Sequence, residues 1–381
     1  MRIAVYTDYS YRREQGSLYG ERAFVLFLGR LARSFERVVI PGRLDQRSGR
    51  AHYRVADEID FVPLPYYESV TRPLQAGWAW LRSLRVFWKV LGEVDAVWLL
   101  GPHPLCLAFW AMAVLRRRKV ALGVRQNTPV YARARHPSKR AVHVLADLLD
   151  GAYRLLARHC PTVVVGPELA QRYSAAPRLL EIAVTLVDEA DVVQPDIALQ
   201  RPYDGELQAL SVGRLETEKN PLLLAEVVKQ LADAGSRWRL LVCGEGPLAD
   251  DLELRLRELG VADRVRLAGY VPFDDGLKQL YEDSHALLHV SWTEGVPQVL
   301  YEAFASGTPV VATAVGGVEQ AVGDSALLVP PGEAGPPAAA LQRIADDALL
   351  RDRLVRSGVE RVRARTLELE ARRVAEFISA Y

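Results

Sequence analysis

The chain has 381 residues, half of them apolar and a quarter charged, which is enough for two domains with buried cores and excludes a disordered chain. Its three cysteines, Cys106, Cys160 and Cys243, are too few and too scattered for a disulfide framework or a thiolate metal cluster, and they fit a reducing, cytoplasmic setting. The net charge of +1 is unevenly split: residues 1–190 carry 28 Lys and Arg against 17 Asp and Glu, and residues 191–381 carry 20 against 30.

In chain order, strands are predicted over 2–7, 37–40, 59–63, 96–100, 120–124 and 162–166, with helices over 20–35, 71–91, 105–117, 138–158 and 167–174. The first strand follows Met1 at once, so no secretory leader is expected. The apolar run 105–115 is too short to span a bilayer, which takes about 20 residues. An acidic connector, 188–206, leads to strands over 207–212, 238–243, 265–268, 286–291, 309–313 and 326–329, again alternating with helices. Nearly continuous apolar strands separated by helices point to parallel sheets covered on both faces. The fold class is therefore α/β with two Rossmann-like lobes, 1–187 and 207–365, followed by an amphipathic terminal helix over 366–381.

The segment Glu294-Gly-Val-Pro-Gln-Val-Leu-Tyr-Glu302 opens a helix after a strand. Pro297 suits a first helical turn, where its missing N–H leaves no bond unmade. The free N–H groups around Gly295, Val296 and Gln298, with the helix dipole, suit an anionic or hydroxyl-rich ligand. Glu294 precedes the helix, and Glu302 offers two acceptor oxygens to paired hydroxyls such as a ribose diol. An ordinary βα unit with a solvated Glu294 has the same spacing.

In Leu210-Ser-Val-Gly-Arg-Leu-Glu-Thr-Glu-Lys-Asn220, Gly213 permits close backbone approach, and Arg214 and Lys219 leave a short loop at the carboxyl end of a strand. Ligands gather there in parallel sheets. The alternative is a solvated basic pair beside Glu216 and Glu218. Gly244 and Gly246 in Cys243-Gly-Glu-Gly-Pro247 mark either a ligand loop or a tight turn. Tyr270 and Val271, in Ala268-Gly-Tyr-Val-Pro272, either border a ligand or belong to the core.

These motifs, with Ala314-Val-Gly-Gly317, resemble in type and order the retaining, nucleotide-sugar-dependent glycosyltransferases of family four (glycosyl transferases group 1), over roughly 205–335. The resemblance implies a GT-B architecture with a cleft between the lobes. It places Arg214 and Lys219 on the donor diphosphate, Glu294 on the donor sugar and Glu302 on the ribose. Gly213, Gly244, Gly246, Tyr270, Val271, Gly295, Val296, Pro297 and Gln298 would border the donor. No metal and no cofactor is implied beyond the nucleotide diphosphate sugar as co-substrate. The implied activity moves a sugar, with retention, to an acceptor glycan, glycolipid or small metabolite. The final helix is implied to pack back on the first lobe. A non-catalytic scaffold or donor-binding subunit, or a GT-B-like nucleotide-sugar epimerase, is the alternative.

The first lobe matches the family less closely. Gly16 is the nearest counterpart of a glycine pair beside the diphosphate, with Ser17 in the second place. Trp98 and Leu100 stand where the family often has a histidine. His103 either reaches the cleft from a shifted position as a catalytic group or caps the next helix. Arg125, Gln126 and Asn127 are candidate acceptor contacts. His52, His136, His143, His159, His285 and His289 show no metal spacing, and His289 is read as structural. The basic first half suits an anionic membrane surface, giving a cytoplasmic protein with peripheral contact at the inner face. No nucleic-acid motif accompanies the charge.

Overall fold

The structure, a computed structural model, describes residues 1–47, 53–67, 73–135, 138–273 and 276–381. His52, His136 and the start of the helix expected over 71–91 lie outside the described residues. The chain forms two units, Met1–Val184 with Leu367–Tyr381, and Thr185–Thr366.

In the first unit, parallel strands run in the order Leu179–Ile182, Thr162–Val165, Lys119–Val124, Ala96–Gly101, Arg2–Tyr6, Arg37–Leu44 and Ile59–Leu64. Their side chains alternate between faces, as the two-residue strand period requires. Ala96, Trp98 and Leu100 enter one apolar layer with Ile3 and Val5. Val97 and Leu99 enter the opposite layer with Ala4, Tyr6 and the helices Pro73–Val90 and Pro104–Leu115. The apolar run over 105–115 is thus a helix against the sheet. No described helix is long and apolar enough to cross a membrane.

Residues 10–20 correct the expected glycine-bearing loop. They form an antiparallel hairpin, Ser10–Glu14 with Ser17–Gly20, whose two-residue turn holds Gln15 at φ 48° and Gly16 at φ 84°. A turn with both central residues at positive φ matches the twist of a hairpin, so glycine here serves the turn. Gly16 is therefore at a hairpin tip, and the following helix starts only at Phe24. The strand Leu179–Ile182 and the helix Thr128–Arg135 were also not expected.

The last helix, Leu367–Ser379, belongs with the first unit. Leu367, Ala371, Val374, Ala375 and Ile378 form its apolar stripe and share a core with Val25, Leu28 and Ala32 of the helix Phe24–Ala32.

The second unit is a wholly parallel sheet in the order Val265–Gly269, Trp238–Cys243, Leu207–Val212, Ala286–His289, Val310–Thr313 and Ala326–Val329. Counted along the unit this is third-second-first-fourth-fifth-sixth, the doubly wound order. Chain order reverses between Leu207–Val212 and Ala286–His289, so the connections leaving those two strands diverge to opposite faces. That leaves space at their carboxyl ends.

Deleting residues 367–381 should strip the face of Phe24–Ala32. Hydrogen exchange should then accelerate in Phe24–Ala32 while Leu207–Val212 keeps its protection. Equal loss in both, or in neither, contradicts this division.

Candidate functional site

The loop after Leu207–Val212 carries Gly213, Arg214 and Lys219, and the loop after Ala286–His289 carries Ser291 and Glu294. Both open at the switch point, and the backbone joins them where the Trp292 N–H donates to the Glu218 carbonyl at 2.9 Å. Lys219 Nζ meets Glu294 Oε1 at 2.5 Å. The same oxygen accepts from Ser291 Oγ at 2.7 Å and lies 2.9 Å from His289 Nε2. Burial alone would raise the Glu294 carboxyl. The His289 hydrogen bond and the Lys219 charge outweigh it and hold the group down at about 2. His289, read from sequence as structural, is thus a direct partner of the site carboxylate.

Arg214 is exposed, and its guanidinium is held by Glu216 and by Glu218 Oε1, the latter at 2.9 Å. The solvated pairing expected as an alternative is therefore present. Exposed pairs of this kind contribute only about 0–1 kcal/mol, so an anion exchanges for these carboxylates at little cost.

Gly244 and Gly246 are explained by backbone crowding. A Cβ on Gly244 would stand 1.8 Å from the Gly213 carbonyl oxygen, and one on Gly246 would stand 2.4 Å from that of Leu215. Gly316 and Gly317 meet the carbonyl oxygens of Glu294 and Gly295 in the same way, at 2.0 Å each. These glycines pack the loops that carry Arg214 and Glu294 against their neighbours. Tyr270 is exposed, so of its two readings the core aromatic is not the one realised, and its N–H lies 3.4 Å from Glu245 Oε1.

Pro297 is the cap residue of the helix Gln298–Ala305, with ψ 123°, one place before the first turn where it was expected. Gly295 is exposed, and Val296 and Gln298 are half-buried at this helix entrance. Glu302 lies on the helix's buried face, and Tyr281 donates to its Oε2 at 2.8 Å. One of the two oxygens expected to serve a diol is therefore already engaged. Burial pushes the Glu302 carboxyl up to about 7, opposed by the Tyr281 hydrogen bond.

In the first unit, His103 stands just past Ala96–Gly101, beside the switch point with Arg2–Tyr6. Its Nδ1 accepts from the Leu105 N–H at 3.2 Å, capping the helix Pro104–Leu115. With Nδ1 accepting, the neutral ring carries its proton on Nε2, which lies 3.4 Å from Asp8 Oδ1 and 3.2 Å from the Tyr67 hydroxyl. Tyr67 and Arg43 also meet Asp8 Oδ1, at 2.7 and 3.2 Å. Burial lowers the His103 pKa, against the pull of Asp8. The capping alternative for His103 is thus realised, and neither ring nitrogen is left without a partner. Trp98 and Leu100, at the family's histidine position, are buried.

Asn127 Nδ2 donates to Glu168 Oε1 at 2.6 Å, and Asn127 Oδ1 faces the Val130 N–H, so this side chain organises the helix Thr128–Arg135. Gln126 is exposed. Arg125 lies against the rings of Tyr9 and Phe24, at 4.6 and 4.9 Å, and its Nε is buried without a hydrogen bond. Burial lowers its pKa to about 10. Among the described residues, no group of three or more His, Cys, Asp or Glu side chains is placed to hold a metal ion.

Residues 195–361 match the glycosyl transferases group 1 family. The match lies within the second unit, Thr185–Thr366. A 2-deoxystreptamine glucosyltransferase of Streptomyces kanamyceticus is 31% identical, over 59% of this chain and 59% of the relative. A D-inositol 3-phosphate glycosyltransferase of Thermomonospora curvata is 31% identical, over 61% of each chain. The chain therefore spans about three-fifths of the length of these curated relatives. The solved structure of Anabaena HepE in complex with UDP superposes with a TM-score of 0.71 over all of both chains, at 16% identity. The fold is GT-B.

Lys219 and Glu294, both singled out from sequence, are in contact, whereas sequence reading missed their partners His289 and Ser291 and the Glu302 partner Tyr281. The first two carried a signal: His289-x-Ser291-x-x-Glu294 ends the strand that opens onto the motif. Tyr281 carried none, because its contact with Glu302 is made across the fold.

Two outcomes test this geometry. Gly244→Ala and Gly316→Ala should each cost about 2–4 kcal/mol in urea unfolding, because the opposing atoms are backbone. Losses under about 0.5 kcal/mol would contradict the crowding. Glu302 has a raised folded pKa, so its contribution to stability is fully present below about pH 4.5 and is lost as pH rises through about 7. Glu302→Gln should flatten that decline and exceed the wild type in stability above about pH 8. Parallel curves for the two proteins would rule out the raised pKa.

Proposed function

We propose that this protein is a metal-independent, retaining glycosyltransferase that moves a sugar from a nucleoside diphosphate to an acceptor. The observation that carries the reading is the Lys219–Glu294 contact, which joins the two sequence motifs at the switch point, with Arg214 on the same loop. Departure of a nucleoside diphosphate builds negative charge on phosphate. Arg214, released from Glu216 and Glu218, and Lys219 stabilise that charge in the transition state. Glu294, kept ionised, accepts hydrogen bonds from donor-sugar hydroxyls. The N–H groups at Gly295 and Val296, with the positive end of the helix Gln298–Ala305, face the anionic part of the donor. Glu302 holds the ribose through the oxygen that Tyr281 does not use. Gly213, Tyr270 and Val271 border the nucleotide.

The acceptor is assigned to the first unit, at Arg125 and Gln126. Arg125 has only aromatic faces as described partners, so an acceptor bearing a phosphate or carboxylate supplies the counter-charge it lacks. The retained configuration follows from same-face attack through an oxocarbenium-like state. The glycosyltransferase relatives support work in glycan or glycolipid biosynthesis.

A thermal-shift series with UDP, GDP, ADP and dTDP, and their sugar conjugates, without added metal, tests the donor site. Uridine comes first because HepE was solved with UDP. One base series should stabilise the protein, and Arg214→Ala or Lys219→Ala should lower kcat/KM on the order of 10²–10³-fold without unfolding it. No shift with any nucleotide, or unchanged turnover in both variants, would overturn the assignment.

A further inference from the structure

The helix Arg140–Ala157 has two apolar faces. Ala146, Tyr153 and Ala157 are buried on one of them. On the other, Val144, Leu145, Leu148 and Leu155 stand 56–66% exposed. At 100° per residue these four fall within one arc of about 100°, so they form a continuous stripe rather than scattered surface residues. Val130 and Tyr131 of the neighbouring helix Thr128–Arg135 are exposed as well.

Charge borders the stripe on one flank. The helical screw places Arg140, Arg154 and Arg158 there, all exposed, together with Asp147, whose charge is met by Arg133 at 2.7 Å. Arg154 and Arg158 make no ion pair among the described residues. They line an open groove of about 700 Å³ with Leu155, Gln171, Glu168 and Arg172, the last paired with the buried Asp150 at 2.6 Å.

We propose that this helix face is a docking surface for an anionic lipid bilayer. The leucine stripe lies in the headgroup–acyl boundary, while Arg154 and Arg158 take lipid phosphates in the groove. An amphipathic helix lying in the interface plane needs this pairing of exposed apolar arc and cationic flank. Long arginine stems let the heads stay with phosphate while the leucines descend. The net-positive charge of residues 1–190 favours an anionic surface over a second copy of the same unit, which would bring like charges together. The inference does not depend on the donor chemistry.

The test is co-flotation of the full chain with vesicles of phosphatidylcholine, alone or mixed with phosphatidylglycerol. Binding to the mixed vesicles only is expected, weakening with salt. Leu145→Asp with Leu148→Asp should abolish it, and Arg154→Glu with Arg158→Glu should lower partitioning tenfold or more, on the order of two lost cationic contacts. Thermal melting by circular dichroism checks that both variants fold. Equal binding to neutral and anionic vesicles, no binding to either, or variants that bind like the wild type would overturn the proposal. So would a concentration-dependent dimer in sedimentation velocity that is lost in the Leu145→Asp, Leu148→Asp variant, since that makes the stripe a contact between copies.

Discussion

One carboxylate oxygen holds the second unit's site together. Glu294 Oε1 takes Lys219 from the loop after Leu207–Val212, His289 from the end of the strand Ala286–His289 and Ser291 from the loop that follows it. A buried carboxylate without partners would be protonated or displaced, since desolvation of a lone charge costs several kcal/mol. Here the cation and hydrogen bonds keep it ionised, and the same contacts fix where Lys219 points. The lysine held by the carboxylate is also the one proposed for the diphosphate, so structural and proposed chemical roles fall on one pair.

The sheet decides where such a pair can exist. Parallel strands send every loop of one kind to the same edge, and only at the switch point do two adjacent loops part. In the second unit those are the loops after Val212 and His289, and the glycines around them let four backbone segments approach within contact distance. The first unit repeats the topology with different contents. Its switch point holds His103, Asp8, Tyr67 and Arg43 in a closed network, where hydrogen bonding fixes both ring nitrogens.

Legibility followed sequence distance and periodicity. The strands over 207–212, 238–243 and 326–329 were read to the residue because apolar runs bounded by turn residues leave little choice. The hairpin over 10–20 was read as a loop because Gly16 resembles one glycine of a ligand loop, and only the positive φ at Gln15 and Gly16 reveals a turn. The pairing of Arg214 with Glu216 and Glu218 was legible as an alternative, but the partner of Lys219 was not, because Glu294 lies 75 residues away. The buried setting of Glu302 was hidden for the same reason: its partner Tyr281 comes from another helix. Local motif chemistry was thus readable, while charge states set by tertiary neighbours were not.

The central claim is that Arg214 and Lys219 face a diphosphate beside an ionised Glu294. A crystal structure of the protein with the stabilising nucleoside diphosphate, grown without divalent metal, tests it most directly. The account predicts phosphate oxygens within hydrogen-bond reach of Lys219 and of an Arg214 turned away from Glu216 and Glu218, with the ribose at Glu302. A nucleotide bound elsewhere, with Arg214 still paired to Glu216 and Glu218, would contradict it.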